Sequence, residues 1–185
     1  MKKALILIVG LPGSGKSFAA DTITRRFGAK VFKTGDVIRE EIKRKGLSFT
    51  PENDTKVRLW FHSGRENLIV KRIWKKMKSE KGVVVVDGLR SPKELAMLKR
   101  LYKDKIVIIQ IKSSFKIRAK RSIKRGRFGK MESVKYFRER DKSEMSELLG
   151  LRQLLKRADY TIDNSKLTRR QMEKKVDELV KPILR

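Results

Sequence analysis

Residues Gly10 to Ser17 read GLPGSGKS, and this stretch decides the fold. The apolar run Ala4–Val9 stands directly before it, which is typical of a strand buried inside a parallel sheet. After it, apolar residues at helical spacing continue to Gly28, and glycine is the usual stop of a helix. The stretch is therefore predicted to be a loop that joins the end of a strand to the start of a helix.

The glycines, lysine and serine of this loop match the phosphate-loop pattern G-x-x-x-x-G-K-[ST]. The glycines allow main-chain N–H groups to approach a phosphate, and the positive end of the helix dipole adds to the attraction. In this pattern Lys16 contacts the β- and γ-phosphates and the Ser17 hydroxyl binds Mg²⁺. The residues predicted to bind ATP are Gly10, Leu11, Pro12, Gly13, Ser14, Gly15, Lys16 and Ser17.

The composition favours one domain in a reducing compartment. The chain has 185 residues and no cysteine, which excludes disulfides and thiolate metal sites. Its first apolar run is too short for a signal peptide or a membrane span. We therefore expect a cytoplasmic protein without a membrane partner, and the composition does not decide between a monomer and a dimer.

The net charge of +28 is extreme for a chain of this size. A heat-adapted proteome would explain the high charge density, because such proteins are rich in Lys and Glu and poor in Cys, Asn and Gln. It would not explain so large an excess of one sign, whereas contact with RNA or a ribonucleoprotein would. No aromatic RNA-recognition motif accompanies the charge, so both explanations stay open.

Further short strands are predicted to alternate with helices along the chain. The strands are residues 30–32, 83–86, 106–111 and 160–162, and the helices are residues 36–45, 51–79 with a break at 63–64, 91–102, 114–125, 132–149 and the segment from 168 onward. This alternation is typical of an α/β fold with a mostly parallel sheet and helices on both faces. Gly10, Thr34, Asp87 and Asn164 follow strands, so we expect them to share one crevice at the carboxyl edge of the sheet.

Two aspartates near the loop have alternative interpretations. Asp87 ends a strand of four valines and could hold Mg²⁺ opposite Ser17, or it could simply cap the turn before Gly88. The metal role is favoured because loop and strand occur together. Asp36 could accept or orient a proton of the acceptor, or it could be a helix N-cap, and the sequence leaves both open.

Arginines are the expected partners of transferred phosphate, because a guanidinium binds it with two parallel hydrogen bonds. Arg90 is singled out by its place three residues after Asp87. Arg121 and Arg125 are singled out because they share a helix face beside a glycine-containing link. The other arginines considered are Arg39, Arg58, Arg118, Arg127, Arg138 and Arg140.

Together, the loop, Thr34-Gly35-Asp36-x-x-Arg39 and Asp87-Gly88 resemble the nucleoside monophosphate kinase group of P-loop proteins, adenylate kinases above all. Residues 158–165 are similar to a segment that dephospho-CoA kinases place near the adenine, and residues 121–125 resemble the lid helix of those enzymes. As a whole the chain resembles the archaeal adenylate-kinase-related proteins. The arginine after Asp87-Gly88 comes one place earlier than in adenylate kinases, so the acceptor is not carried over.

The resemblance implies a P-loop NTPase three-layer sandwich, with a five-stranded parallel sheet of order 2-3-1-4-5 and a mobile helical lid. It implies a core of residues 1–35, 81–111 and 151–185, an acceptor-binding insertion of residues 36–80 and a lid of residues 112–150. Asn164 would lie near the adenine, and Arg138 with other lid arginines would close over the triphosphate. The predicted catalytic residues are Lys16, Asp36, Arg121, Arg125 and Arg140, and the predicted acceptor-binding residues are Thr34, Gly35, Arg39, Arg58 and Arg90.

The sequence thus predicts a kinase that transfers the γ-phosphoryl group of Mg-ATP to a small nucleotide acceptor such as a nucleoside monophosphate. The first alternative is an ATP-dependent switch that binds RNA or a ribonucleoprotein and hydrolyses ATP slowly. The second alternative is a dephospho-CoA kinase.

Overall fold

A computed structural model describes residues 4–129, 133–146 and 150–184 of the protein. At its centre lies a sheet in which every pair of neighbouring strands is parallel, in the order β2-β3-β1-β4-β5. The predicted fold class and strand order are confirmed. The strands are β1 (Ala4–Val9), β2 (Lys30–Lys33), β3 (Val83–Asp87), β4 (Lys105–Lys112) and β5 (Tyr160–Asp163).

Helices cover both faces of the sheet. They are α1 (Lys16–Phe27), α2 (Thr34–Arg44), α3 (Pro51–His62), α4 (Glu66–Met77), α5 (Pro92–Leu101), α6 (Phe115–Arg125), α7 (Val134–Glu144), α8 (Leu151–Leu155) and α9 (Arg169–Ile183). Thr50 caps α3 with Pro51 in its first turn, and capping boxes at Ser91 and Thr168 open α5 and α9. These three predicted helix starts are confirmed.

Two helices differ from the sequence prediction. Helix α2 begins at Thr34, two residues earlier than expected, so Asp36 lies inside the first turn and is not the N-cap. The short helix α8 was not predicted, because five residues are too few to show a helical period. The predicted helix 132–149 is observed as α7, and residues 132 and 147–149 lie outside the described part of the chain.

The core consists of two apolar layers, one on each face of the sheet. Side chains of β1 alternate between them, because successive residues of a strand point to opposite faces. Leu5, Leu7 and Val9 pack with the side of the sheet covered by α2 to α5 and α8. Ile6 and Ile8 pack with the side covered by α1 and α9. Within the described ranges, no helix has the length and apolar character needed to cross a membrane.

Candidate functional site

The loop between β1 and α1 is packed tightly by residues from distant parts of the chain. The Asn164 side-chain amide donates to the Ser14 carbonyl oxygen at 2.8 Å, and Arg118 donates to the Pro12 carbonyl oxygen at 3.2 Å. Gly15 has φ of +107°, and a Cβ there would lie 2.4 Å from the Asn164 amide nitrogen. Only glycine fits such a position, so the loop conformation depends on this close approach.

Lys16, Ser17 and Asp87 form the polar centre beside this loop. The Lys16 ammonium donates to the Leu11 carbonyl oxygen at 3.1 Å, and the Ser17 hydroxyl donates to Asp87 Oδ2 at 3.1 Å. The other carboxylate oxygen of Asp87, Oδ1, is buried and has no hydrogen-bond partner in the described part of the chain. A hydroxyl and a carboxylate with an unused oxygen are hard oxygen ligands, so this pair fits a Mg²⁺ ion.

The electrostatics of the loop favour a bound anion. Burial lowers the pKa of Lys16 to about 8, although the charge of Asp87 acts in the opposite direction. The positive charges of Arg90, Arg140 and Arg118 lower the Lys16 pKa further. These guanidiniums therefore lie close enough to Lys16 to repel its charge, and a polyphosphate between them would relieve the repulsion.

Beside the loop lies a buried group of ionic side chains, which we call the arginine cluster. It contains four arginines and two carboxylates, so its formal charge is +2. Both carboxylate side chains are only 1% exposed. The members are Asp54 and Arg58 from α3, Arg90 after β3, Arg127 after α6, and Arg140 and Glu144 from α7.

Two carboxylates hold the arginine cluster together. Arg58 forms ion pairs with both Asp54 and Glu144, and Arg90 forms one with Glu144. Arg127 lies 3.4 Å from Asp54. Arg140 lies 3.9 Å from Asp54 and 3.7 Å from Glu144. The carboxylates are thus shared among more cations than they can neutralise.

The pKa values in the cluster reflect this shortage of negative charge. Burial alone would raise the pKa of Asp54, but the charges of Arg58, Arg140 and Arg127 outweigh it and lower that pKa. Burial, followed by the charge of Arg58, lowers the pKa of both Arg90 and Arg140. Because the ordinary pKa of a guanidinium is so high, these groups stay charged at neutral pH, and the cluster retains its positive surplus.

The predicted acceptor residues of α2 differ in their exposure to solvent. Thr34 is buried, and its hydroxyl donates to the Gly88 carbonyl oxygen at 2.7 Å, which ties the start of α2 to the end of β3. Gly35 and Arg39 are neighbours, and Arg39 forms an ion pair with Asp36 in which both side chains are about half exposed. Arg39 also lines a cavity of about 370 Å³ with Ile42, Lys43, Gly46, Leu47 and Phe49.

The predicted arginines of α6 and α7 are separated by the structure. Arg121 donates to the Asn164 carbonyl oxygen at 3.1 Å, while its Nη1 atom is buried and has no hydrogen-bond partner in the described residues. Arg125 is exposed at the end of α6. Arg138 stacks on Phe115, and Arg140 belongs to the arginine cluster. Arg121 therefore lies beside the loop, whereas Arg125 is exposed. Burial, with a contribution from the charge of Arg125, lowers the pKa of Arg127 in the arginine cluster.

A second cavity lies between α3 and α7. It measures about 260 Å³ and is lined by Thr55, Arg58, Leu59, Tyr136, Glu139, Arg140 and Ser143. The Tyr136 hydroxyl and Arg140 Nε are buried there without a hydrogen-bond partner among the described residues. Two unused donors beside a positive cluster offer further contacts to an anionic ligand.

Several residues of this site were not assigned from the sequence. Arg118 is 4% exposed and binds Asp141 with two hydrogen bonds, which anchors α6 and α7 to the loop. Asp54, Glu144 and Arg127 belong to the cluster. The one local signal was the i, i+4 spacing of acidic and basic residues in α3 and α7, which also occurs on ordinary exposed helices.

Comparison with known proteins gives the family. The chain is 35% identical over 185 residues to UPF0200 protein PH1008 of Pyrococcus horikoshii, and the match covers 97% of each chain. The chain belongs to the UPF0200 family. A family model described as an AAA domain matches residues 9–138 of this UPF0200 chain, which include the loop, β3 and α6.

Solved structures show that the UPF0200 chain has the fold of P-loop kinases. Shikimate kinase from Acinetobacter baumannii in complex with shikimate is 17% identical, with a TM-score of 0.59 over 97% of this chain and 93% of that chain. A gluconokinase from Sinorhizobium meliloti 1021 is 15% identical, with a TM-score of 0.60 over 97% and 95%. The resemblance to P-loop kinases is therefore confirmed at the level of the fold.

Proposed function

We propose that the protein is an ATP-dependent kinase that phosphorylates a small anionic acceptor, a nucleoside monophosphate such as AMP. The observation that carries this proposal is the buried arginine cluster beside the phosphate loop. Its surplus of two positive charges matches the dianionic phosphate of a monophosphate better than a neutral or singly charged acceptor.

In the proposed reaction, an oxygen of the acceptor phosphate forms a bond to the γ-phosphorus of ATP. The bond from that phosphorus to the β,γ-bridging oxygen breaks, and ADP leaves with the electron pair. Lys16 and Arg121 hold the triphosphate, and Arg90 and Arg140 stabilise the charge that develops between donor and acceptor. Ser17 and Asp87 would hold the Mg²⁺ ion, which neutralises charge on the phosphates.

An acceptor phosphate needs no strong general base, because its oxygen is already ionised at neutral pH. We therefore assign Asp36 the role of positioning Arg39, with which it forms an ion pair. Arg39 would contact the acceptor at the cavity that it lines. Phe49 at the same cavity would give the acceptor base an aromatic surface.

Residues 158–165, which resemble a segment of dephospho-CoA kinases, make contacts within the fold that do not depend on the identity of the acceptor. Asp159 accepts a hydrogen bond from the Ile108 main-chain nitrogen at 2.7 Å and joins β5 to β4. Asn164 supports the loop. Residues 158–165 therefore do not favour dephospho-CoA over AMP.

The test is a screen of phosphoryl transfer from γ-labelled ATP to acceptors of three charge classes. The classes are phosphate esters (AMP, other nucleoside monophosphates and dephospho-CoA), carboxylates (shikimate and gluconate) and neutral sugars. We expect a labelled product with a nucleoside monophosphate, whereas a product with dephospho-CoA alone would support the alternative kinase instead. Lys16→Met should lower the rate on the order of 10²–10³, the effect of removing one key electrostatic donor.

Lys175→Met, at an exposed position of α9, is the matched control and should retain the wild-type rate. Transfer to carboxylates or neutral sugars alone would contradict the acceptor class. Transfer only to water, with every acceptor inert, would contradict the kinase itself.

A further inference from the structure

Helix α6 has an unusual charge composition. It contains six basic residues and no acidic residue among its 11 positions. Every other helix of eight or more residues that the structure describes contains at least one Asp or Glu. Like charges at i, i+4 destabilise a helix, so this composition opposes the formation of α6 on its own.

Five of the six basic residues of α6 lie on two faces, and the sixth, Arg125, is exposed at its end. On the inner face, Arg118 contacts the Pro12 carbonyl oxygen of the phosphate loop, and Arg121 contacts the Asn164 carbonyl oxygen. The outer face carries Lys116, Lys120 and Lys124, all exposed, which we call the lysine face. In the part of the chain that the structure describes, no carboxylate lies within 4.0 Å of any of these three ammonium groups.

Other exposed basic helices of the protein carry acidic residues among their basic ones. On α9, Lys174 pairs with Glu178, and the acids Glu173 and Asp177 pair with arginines of α1. Lys71, Lys75 and Lys78 at α4 also have no carboxylate partner in the described part of the chain, but α4 carries Glu66, whereas α6 carries no acidic residue. The positive charge of α6 is thus uncompensated within its own helix, which suits a polyanionic ligand.

A nucleotide in the phosphate loop does not reach the lysine face. An α-helix with its side chains is about 10 Å across, and the loop contacts the opposite side of α6. A polyanion on the lysine face would therefore be a second ligand, separate from the nucleotide. We propose that the lysine face binds the phosphate backbone of a nucleic acid.

The chemistry of the face favours a nucleic acid over a membrane or an acidic protein. A membrane-surface helix needs several large apolar residues to insert, and Ile123 is the one large apolar residue exposed on α6 within the described chain. Lysine is a flexible point charge, and it suits a repeating phosphodiester in any register better than the bidentate geometry of carboxylate recognition. Binding through the backbone should therefore be strongly salt-dependent and nearly independent of base sequence.

The experiment is a titration of the full chain with a fluorescent single-stranded RNA, followed by anisotropy at several salt concentrations. The test variant is Lys116→Gln/Lys120→Gln/Lys124→Gln. The matched control is Lys71→Gln/Lys75→Gln/Lys78→Gln, which removes the same charge from exposed positions on and just after α4. A single-stranded DNA of the same sequence distinguishes the two sources of phosphate backbone.

We expect the lysine-face variant to weaken RNA binding on the order of 10² at ~0.1 M salt, and to reduce the slope of log K against log salt by about 2. The control triple variant should change either value little. Thermal unfolding and kinase turnover verify that the variant is folded, because we expect neither to depend on these lysines. A Lys→Arg triple variant at the same positions should retain binding.

Equal weakening by the two triple variants would overturn the proposal, because binding would then follow the overall charge. Polyglutamate that binds as tightly as RNA would overturn the assignment to a nucleic acid. Absence of RNA and DNA binding at ~0.1 M salt would overturn it as well. None of these outcomes affects the proposed kinase activity, which is measured separately.

Discussion

The Ser17 hydroxyl donates a hydrogen bond to Asp87 Oδ2 at 3.1 Å, although 70 residues separate the two in the chain. Ser17 lies in the first turn of α1, and Asp87 is the last residue of β3, which pairs with β1. The sheet therefore brings the hydroxyl and the carboxylate together at its carboxyl edge. Asp87 Oδ1 has no hydrogen-bond partner among the described residues, which leaves this oxygen available to a cation.

Asp87→Asn should raise the Mg²⁺ concentration needed for half-maximal transfer and lower the maximal rate on the order of 10². The amide oxygen still accepts from Ser17, so the change removes charge and leaves the hydrogen bond. The measurement is the initial rate as a function of Mg²⁺ at fixed ATP. Asp163→Asn, at the exposed end of β5, is the control and should leave this dependence unchanged. An unaltered Mg²⁺ dependence in Asp87→Asn would falsify the metal role.

The strand, loop and helix around Gly10 to Ser17 were predictable because their signals are local. A buried strand, a glycine-rich loop and a helix stand in one continuous stretch, and four further strands showed apolar runs of their own. The sheet order followed from the resemblance to a known family. These parts needed no knowledge of contacts between distant residues.

The arginine cluster was not predictable in the same way, although Arg58, Arg90 and Arg140 were named individually from the sequence. Arg58, Arg90 and Glu144 come from three separate segments, and no spacing in the sequence joins them. Asp54 precedes Arg58 by four residues, a spacing shared by many exposed helical ion pairs. Only the fold shows that this pair is buried and that two carboxylates face four guanidiniums.

ATP binding should become weaker at alkaline pH, because Lys16 loses its positive charge there. Burial lowers its pKa to about 8 in the free protein, so the ammonium loses its proton as pH rises above that value. ATP binds the charged form, and we expect its Kd to rise about tenfold per pH unit above ~8. Titration calorimetry of ATP alone, without acceptor, measures this and also detects proton uptake on binding. Lys16→Arg, which stays charged, should remove the dependence.

The opposite result, an ATP affinity that is constant from about pH 7 to 9 in the wild type, would contradict the buried environment of Lys16. Arg90 and Arg140 also have lowered pKa values, mainly because of burial. Their pKa values, about 9 and about 10, lie above that of Lys16, so Lys16 is the first of the three groups to lose its proton as pH rises.

Glu144→Gln should increase the affinity for an anionic acceptor. Glu144 pairs with Arg58 and Arg90, the guanidiniums that the acceptor phosphate would use, so its carboxylate competes with the acceptor. Removing the charge should lower the acceptor KM on the order of tenfold, since a hydrogen bond to a charged group contributes ~1.5–3 kcal/mol. The measurement is KM for AMP at saturating ATP, with Glu178→Gln on the exposed part of α9 as control.

A weaker acceptor affinity in Glu144→Gln would mean that the carboxylate positions the arginines instead of competing. Stability gives an independent check on this variant. Breaking a buried ion pair destabilises by ~3–5 kcal/mol, and the isosteric amide should lose less than that because it keeps hydrogen bonds. Urea unfolding at neutral pH measures the loss.

Glu94 should make the free energy of unfolding fall as pH rises from about 4.5 to 7. Burial raises its pKa from 4.5 to about 7, although hydrogen bonds from the Arg90 and Ser91 main-chain nitrogens act in the opposite direction. The folded state then binds the proton more tightly than the unfolded state, so this stabilisation is complete below about pH 4.5 and is lost as pH passes 7. The nearby His62 stays neutral over this range, because burial and the charges of Arg90 and Arg58 lower its pKa to about 3.

Glu94→Gln isolates this effect, because glutamine keeps an oxygen acceptor for the Arg90 nitrogen, which donates to Oε2 at 2.6 Å. We expect wild type and variant to have similar stability near pH 5, and the variant to be the more stable near pH 8, where the wild type carries a buried charge. Urea unfolding of both proteins at the two pH values measures the difference. A variant that is less stable than the wild type at alkaline pH would contradict this prediction. The ionised Glu94 carboxylate would then be a net stabilising partner of Arg90, which belongs to the arginine cluster.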